Sequence, residues 1–219
     1  MKIYLFCFSI FIIGNLTYAQ SNPLPEPRLL PGWERITIEN HGTIDLPPSM
    51  EVQRGIYKQM TERHKKISGV SASNVIFQQK DLNTFDQRSF NTYARVFIRT
   101  EIGRYGDFMR LHNSSFSPSE LRQLNNLYKN EIQQAAAISN GKLLEWNNAK
   151  QIRVNGMTCV TFGYTRQLGS NPPVRVTFYM FHNYDRMHVL SFEYRISDAN
   201  TWEDSFSKIL NSYRITSIR

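Results

Sequence analysis

Cysteine is nearly absent from this chain of 219 residues, which contains only Cys7 and Cys159. Cys7 lies in an apolar leader, so a processed chain would keep one thiol. A single thiol cannot close an intramolecular disulfide, which excludes a disulfide-stapled scaffold and leaves the hydrophobic core to stabilise the fold. Cys159 itself has two interpretations: a catalytic nucleophile or a small buried hydrophobic residue. The second is favoured because Cys159 lies in an alternating strand pattern.

The sequence also lacks the short motifs that identify common enzymes. It contains no Gly-x-Ser-x-Gly, no His-Glu-x-x-His, no phosphate loop and no dinucleotide fingerprint. Its five histidines are dispersed along the chain. These absences lower the expectation of catalysis without excluding it. They favour a non-enzymatic role, and no cofactor is predicted.

Concentrated charge is missing as well. The formal net charge is +8, with 41% hydrophobic and 20% charged residues, a balance typical of a globular protein. The densest cationic run covers residues 63–66, which is too short for a phosphate-binding stripe. We therefore expect an unspecialised basic surface. A nucleic-acid binder is only a third and weaker class, and no nucleic-acid partner is predicted.

The chain begins with the features of an export signal. Lys2 precedes an almost wholly apolar run over residues 3–13, and Thr17 and Ala19 occupy the small-residue positions of a peptidase site. The run is too short to span a membrane comfortably. We predict a signal peptide at residues 1–19 that is cleaved after Ala19. This implies a periplasmic or extracellular protein with no transmembrane span after cleavage. The alternative is an uncleaved membrane anchor.

A proline-rich segment follows the leader. Residues 20–32 contain four prolines, each of which removes a backbone donor and favours an extended chain. We interpret this segment as a tether. Because no second linker of this kind occurs, residues 33–219 are predicted to form a single domain.

Two helices are predicted with clear start signals. Ser117, Pro118 and Glu120 make a capping box with proline at the first helical position, which predicts a helix over residues 118–138. An apolar stripe beginning at Trp202 predicts a closing helix, with Asn200 and Glu203 as its capping box. Residues 54–67 are ambiguous because a helical stripe there is weakened by a glycine.

Strand patterns dominate the rest of the chain. Residues 33–39 and 43–47 predict a hairpin, and residues 93–102 alternate as a strand does. From residue 151 the period is two, and Asn155-Gly156 is a strong hairpin turn. Three turns then predict a C-terminal four-stranded antiparallel meander. Because both faces of this meander carry apolar residues, we expect helices on both faces. The predicted fold class is α+β, an α/β/α sandwich.

The last hairpin suggests a site. If opposed residue numbers sum to 370, apolar residues face one another throughout, as Met180 faces Leu190. The same register makes His182 face His188, with Asp185 at the tip of the loop. Two imidazoles do not complete a metal site, since zinc takes three or four protein ligands. We therefore assign no metal and expect two half-buried histidines. His182, Asp185 and His188 remain candidate ligand-binding residues, and the two histidines are weak metal candidates.

The order of these segments resembles the PsbP family. The resemblance rests on GTIDLPPSMEVQ after a strand that begins with tryptophan, and on YARVFIRTEIG followed by a long helix. It also rests on a meander that begins at an Asn-Gly turn and on a closing helix that ends in SFSKILNSYRI. It covers about residues 33–217. It implies an α/β/α sandwich and non-enzymatic binding to larger partners, and it carries no functional residue onto this chain.

Two functions are consistent with these features. The first is an exported, non-enzymatic binding or accessory protein of the bacterial envelope, with a protein or glycan partner. The signal peptide, the tether and the aromatic content favour it. The alternative is a metal-dependent enzyme built on the facing pair His182 and His188.

Overall fold

The described part of the chain contains nine strands and two complete α-helices. The computed structural model describes residues 27–39, 41–55, 58–59, 74–112 and 115–215. The predicted signal peptide, its cleavage site and the first half of the proline-rich tether lie outside the described residues. So does most of the ambiguous segment 54–67.

Two sheets are present. The strands are β1 (Glu34–Ile38), β2 (Gly42–Leu46), β3 (Met50–Val52), β4 (Asn74–Gln79), β5 (Ala94–Ile102), β6 (Gly141–Val154), β7 (Met157–Leu168), β8 (Val174–Asn183) and β9 (Arg186–Arg195). The helices are α1 (Pro118–Ile138) and α2 (Ala199–Ser212). β1 and β2 form a hairpin of their own, and the other seven strands form one antiparallel sheet in the order β3-β4-β5-β9-β8-β7-β6. The fold is thus α+β with a large antiparallel sheet.

The predicted start of α1 is confirmed. The Ser117 side chain accepts from the backbone N–H of Glu120, and the Glu120 carboxylate accepts from the backbone N–H of Ser117 at 2.7 Å. Pro118 occupies the first helical turn, where its missing N–H has no helical partner to lose. The helix ends at Ile138, as the pattern predicts.

The predicted capping box of α2 is wrong. Its N-cap is Asp198, and the carboxylate of Glu203 instead accepts a hydrogen bond from the hydroxyl of Tyr194 on β9. Asp198 does not cap the helix with its side chain either. Its carboxylate accepts from the hydroxyl of Thr92 and the backbone N–H of Tyr93, so it fastens the start of α2 to the start of β5.

Each face of the large sheet carries its own core. We call face A the side that carries Val96, Ile98 and Leu190, and face B the side that carries Val160 and Met180. The core on face A includes Trp202, Phe206 and Ile209 of α2 together with residues of the β1–β2 hairpin. The core on face B packs against Tyr128 and Ile132 of α1. Both cores are rich in aromatic side chains.

Stacked rings stabilise the core on face B. Phe162 of β7 stacks on Tyr128 at 4.6 Å and on Phe178 at 4.8 Å between ring centroids, and Trp146 of β6 stacks on the same phenylalanine at 5.5 Å. Such aromatic pairs contribute about 0.5–1.5 kcal/mol each beyond the area they bury. Phe162 therefore joins α1 to three neighbouring strands of the sheet.

The register predicted for the last hairpin is wrong by one residue. Asn183 opposes Arg186 across a two-residue loop, so opposed residue numbers sum to 369 and Met180 faces Val189. A two-residue loop pairs flanking residues three apart, which cannot oppose two even-numbered residues. The prediction failed because it assumed that a slip would expose the apolar set. β9 is buried on both faces from Arg186 to Tyr194, so hydrophobic patterning does not select the register.

The β1–β2 hairpin docks on the chain that follows α2. Thr43 N–H donates to the carbonyl of Arg214 at 2.8 Å, and Arg214 N–H donates back to the carbonyl of Thr43 at 2.9 Å. Gly42 permits this approach, because a Cβ at that position would lie 1.8 Å from the carbonyl oxygen of Arg214. Its φ of +151° is also a conformation that side-chain-bearing residues rarely adopt.

We predict that Gly42→Ala lowers the free energy of unfolding by more than about 2 kcal/mol, since a backbone clash adds to the conformational strain. Gly32→Ala is the matched control. Gly32 also has a positive φ, +76°, but a Cβ there meets nothing within 4 Å. Urea unfolding of both variants measures the difference. Equal losses of stability would show that the approach of Gly42 to Arg214 does not limit the docking of the hairpin.

Candidate functional site

His182 and His188 lie on opposite faces of the sheet. In the observed register His182 opposes Met187 on face B, and His188 opposes Phe181 on face A. The predicted facing of the two histidines is therefore wrong, because one residue of register moves a side chain to the other face. Ligand binding by His182, Asp185 or His188 stays a prediction.

His182 occupies an apolar site on face B. Its ring meets the ring of Phe108 edge-on at 5.7 Å. Burial lowers the pKa of His182 to about 4, and a hydrogen bond to the backbone of Met109 only partly offsets that effect. At neutral pH the imidazole is uncharged, and its contacts are those of a packed side chain.

His188 belongs to a different histidine pair, on face A. Thr100 of β5 lies opposite it, and the Thr100 Oγ1 atom is 3.3 Å from Nδ1 of His188 and 2.7 Å from Nδ1 of His41. The two imidazole rings are 5.8 Å apart between centroids. We call His41, Thr100 and His188 the face A histidine cluster. It was missed because His41 comes from the separate β1–β2 hairpin, and no spacing in the sequence links it to β9.

The hydrogen bonds of this cluster indicate which ring nitrogen of His188 carries the proton. The Nε2 atom of His188 is buried and has no hydrogen-bond partner among the described residues. An unpaired lone pair costs less there than an unpaired N–H, so His188 carries its proton on Nδ1 and donates it to Thr100, whose hydroxyl then donates to His41. Burial, followed by the charges of His41 and Arg186, lowers the pKa of His188 to about 4. Burial and Arg186 also lower the pKa of His41.

The carboxylate of Asp185 pairs with Arg186, and its charge partly opposes the lowering of the pKa of His188. Its two carboxylate oxygens accept from the guanidinium of Arg186 at 2.7 and 2.9 Å. Across residues 27–39, 41–55, 58–59, 74–112 and 115–215 there is no group of three or more histidine, cysteine or acidic side chains arranged to hold a metal ion. The last turn therefore carries an ion pair between Asp185 and Arg186 and, among the described residues, no grouped metal ligands.

Cys159 lies in β7 and is fully buried on face A. Burial raises the pKa of its thiol to about 12, so the group is protonated at physiological pH. The interpretation of Cys159 as a small buried hydrophobic residue agrees with this environment.

A row of arginines lies on face B, where β5, β9 and β7 present their side chains. Glu193 of β9 is at its centre. One of its carboxylate oxygens accepts from the hydroxyl of Tyr93 and from the guanidinium of Arg166, both at 2.9 Å. The guanidinium of Arg95 lies over the ring of Tyr93, 5.3 Å from its centroid, and Arg195 follows two residues after Glu193. We call these five residues the arginine groove.

Two depressions in the surface are lined in part by residues of the arginine groove. The larger has a volume of about 260 Å³ and is lined by Tyr93, Arg166, Leu168, Asn171, Pro172, Val174 and Arg195. The smaller, about 160 Å³, is lined by Phe97, Arg99, Phe178, Val189, Ser191 and Glu193. The alternation of arginines in residues 93–102 and 193–195 was a signal for this groove. The same alternation also predicts strands, and strands were the only features predicted from it.

An exposed apolar surface lies at the other end of β5. Ile102, Tyr105 and Met109 are 78, 72 and 46% exposed, and we call them the apolar tip. The loop that carries Tyr105 and Met109 is fixed to the β8–β9 turn, because Tyr184 exchanges two backbone hydrogen bonds with Phe108 at 2.6 and 3.0 Å. The ring of Tyr105 also stacks on the ring of Tyr184 at 5.6 Å.

Comparison with solved structures finds a protein with a similar fold. The solution structure of cyanobacterial PsbP (CyanoP) from Synechocystis sp. PCC 6803 is similar over 89% of this chain and 99% of its own, with a TM-score of 0.51 and 12% sequence identity. The chain has a PsbP-like fold. A structure from Bacteroides thetaiotaomicron matches 85% of this chain and 49% of its own at 8% identity, with a TM-score of 0.40.

Comparisons of the sequence alone find no relatives of this chain. No family model matches the chain, and no curated protein matches its sequence. In the described residues, neither α1 nor α2 has the length and apolar character that a membrane crossing requires. At 12% identity the likeness establishes the fold and not the function.

We predict that the protein loses stability as the pH falls from about 6.5 to 4. The pKa values of His182 and His188, about 4 when folded, lie below the ordinary value of 6.5, so the unfolded chain binds more protons in this range. The loss begins near pH 6.5 and is complete below 4, and at pH 5 it reaches up to about 2 kcal/mol for each histidine. Urea unfolding at pH 7 and pH 5 measures it.

Substitution identifies the groups responsible. His182→Gln and His188→Gln should each remove a large part of the difference between pH 7 and pH 5. His112→Gln, at an exposed position, should leave it unchanged. A free energy of unfolding that is equal at the two pH values would contradict the assignment of neutral, buried histidines.

Proposed function

We propose that the protein is an exported, non-enzymatic accessory protein of the bacterial envelope that docks on a larger protein through the apolar tip. In this proposal residues 1–19 are removed on export, residues 20–32 are a tether, and residues 33–219 form one α/β/α sandwich domain. The PsbP-like fold supports an accessory role, because the similar solved structure is a PsbP protein.

The observation that carries the proposal is that the apolar tip is both exposed and fixed. Large apolar side chains that stay in water are typical of interaction sites when they are grouped. Backbone hydrogen bonds from Gly103, Gly106 and Phe108 to the β8–β9 turn, at 2.8 to 3.1 Å, hold the loop in one conformation. Binding through such a surface costs little conformational entropy.

The chemistry of the tip favours a protein partner over a glycan. Ile102, the most exposed of the three residues, is a strand-end aliphatic side chain with no hydrogen-bonding atom. A glycan offers mainly hydroxyl groups, whereas a protein offers apolar pockets that fit an isoleucine and a methionine. Arg110, whose guanidinium lies over the ring of Tyr184 at 5.4 Å, supplies a polar rim.

The metal-dependent enzyme lacks a geometric basis, since it required His182 and His188 to face each other. Their positions on opposite faces of the sheet remove that arrangement. No observation on the face A histidine cluster favours catalysis, because its two histidines are buried and both lie within hydrogen-bonding distance of the same threonine hydroxyl.

We predict that a photo-crosslinking amino acid at Ile102 gives a discrete protein adduct in cells that make the protein. The same amino acid at Ile138 should not. Ile138 is the matched control because it is 66% exposed but lies at the end of α1, away from the tip. Immunoblotting after irradiation detects the adduct, and mass spectrometry identifies the partner.

A second variant tests whether formation of the adduct depends on the apolar tip or reflects non-specific adhesion. With the crosslinker at Met109, Ile102→Asp should abolish the adduct and change the free energy of unfolding by no more than about 0.5 kcal/mol, since surface substitutions seldom do more. Adducts of equal yield from positions 102 and 138, or an adduct insensitive to Ile102→Asp, would contradict docking through the tip.

A further inference from the structure

We propose that the larger depression of the arginine groove is a binding site for a small organic carboxylate with a flat apolar body. The site is distinct from the apolar tip. The two lie toward opposite ends of β5, and eight residue steps along a strand separate them by about 27 Å. Failure of either proposal therefore leaves the other standing.

The first support is the mixed lining of the depression. Tyr93, Arg166 and Arg195 supply polar groups, and Leu168, Pro172 and Val174 supply apolar surface. Val174 of β8 pairs with Arg166 on one side and with Arg195 on the other, so an apolar side chain lies between the two arginines. A volume of about 260 Å³ is below the size of a typical drug pocket and suits a single ring or a short branched acid.

The second support is an unbalanced positive charge. Three guanidiniums, those of Arg95, Arg166 and Arg195, lie here with two carboxylates, those of Glu193 and Asp198, so the local surplus is one positive charge. Burial opposes the charge on Arg166, but Glu193 keeps the pKa of Arg166 above its ordinary value. Burial alone would raise the pKa of Asp198, but hydrogen bonds from Thr92, Tyr93 and Ser197 and the charge of Arg195 lower it. Both carboxylates already accept hydrogen bonds from protein groups.

The third support is donor capacity that the protein leaves unused. The Nε–H of Arg166 is buried and has no hydrogen-bond partner among the described residues. The guanidinium of Arg195 donates at 3.2 Å to a neutral backbone carbonyl, that of Asn91, and the described residues contain no ion pair that neutralises it. A guanidinium can bind a carboxylate with two parallel N–H donors, and Arg166 and Arg195 both line the depression.

The neighbouring carboxylate of Glu193 decides between anions. It accepts hydrogen bonds from Tyr93 and Arg166, and at 8% exposure it is poorly screened by water. A doubly charged phosphate would be repelled by Glu193 about twice as strongly as a singly charged carboxylate, because the Coulomb energy scales with the charge. The apolar side chains of the lining also give phosphate no favourable contact. The site therefore favours a monoanionic carboxylate.

Titration of the full chain with benzoate tests the proposal, with benzamide as the neutral isostere and inorganic phosphate as the competing anion. We expect saturable shifts of the NMR signals of Tyr93, Val174 and Arg195 with benzoate, with a Kd in the millimolar range or below, about −4 kcal/mol or stronger. Benzamide and phosphate at the same concentrations should give no saturable shift.

Substitutions in the groove, and one on the other face of the sheet, test whether benzoate binds at this depression. Arg195→Gln should weaken benzoate binding at least tenfold. Asn171→Asp, at an exposed position of the rim, should weaken it severalfold without touching a buried group. Arg175→Gln is the matched control, because Arg175 lies on the other face and pairs with Glu145 and Glu203. Thermal unfolding confirms that each variant is folded. No saturable benzoate binding, equal binding of benzamide, tighter binding of phosphate, or affinity unchanged by both groove variants would overturn the proposal.

Discussion

The pairing of Asn183 with Arg186 across a two-residue turn decides which side chains each face of the large sheet presents. Because successive residues of a strand point to opposite faces, this one pairing assigns every residue of β8 and β9 to a face. It puts His188 on face A, where Thr100 of β5 lies opposite it, and His182 on face B, where its ring meets Phe108. The same pairing puts Arg166 of β7 and Glu193 of β9 on one face, so the arginine groove depends on it as well.

The two faces solve the problem of buried polar groups in different ways. On face A the histidines are kept neutral, and they share one threonine hydroxyl. On face B the charges are kept and paired, with one carboxylate oxygen of Glu193 serving both a tyrosine and an arginine. Neutral histidines stabilise a fold only while they stay unprotonated, whereas paired arginines keep their charge at any physiological pH. The first arrangement is suited to packing, and the second leaves charge available at the surface.

Local patterns predicted the elements well, and long-range pairings poorly. The capping box at Ser117 and Glu120 and the turn at Asn155-Gly156 are encoded by adjacent residues, and the structure contains both. The histidine pair could not be derived in this way. His41 reaches His188 only through the docking of a separate hairpin, and hydrophobic patterning does not reveal the register of β9 because that strand is buried on both faces. The arginine groove had a signal in the alternation of β5, but its partner residues come from β7 and β9.

Nuclear Overhauser effects across the β8–β9 hairpin test the register most directly. The structure predicts cross-strand contacts between the backbone protons of Phe181 and His188 and between those of His182 and Met187. It also predicts a contact between the side chains of His188 and Thr100 on the neighbouring strand. A direct cross-strand contact between His182 and His188 would contradict the account. It would return both histidines to one face and dismantle the groove.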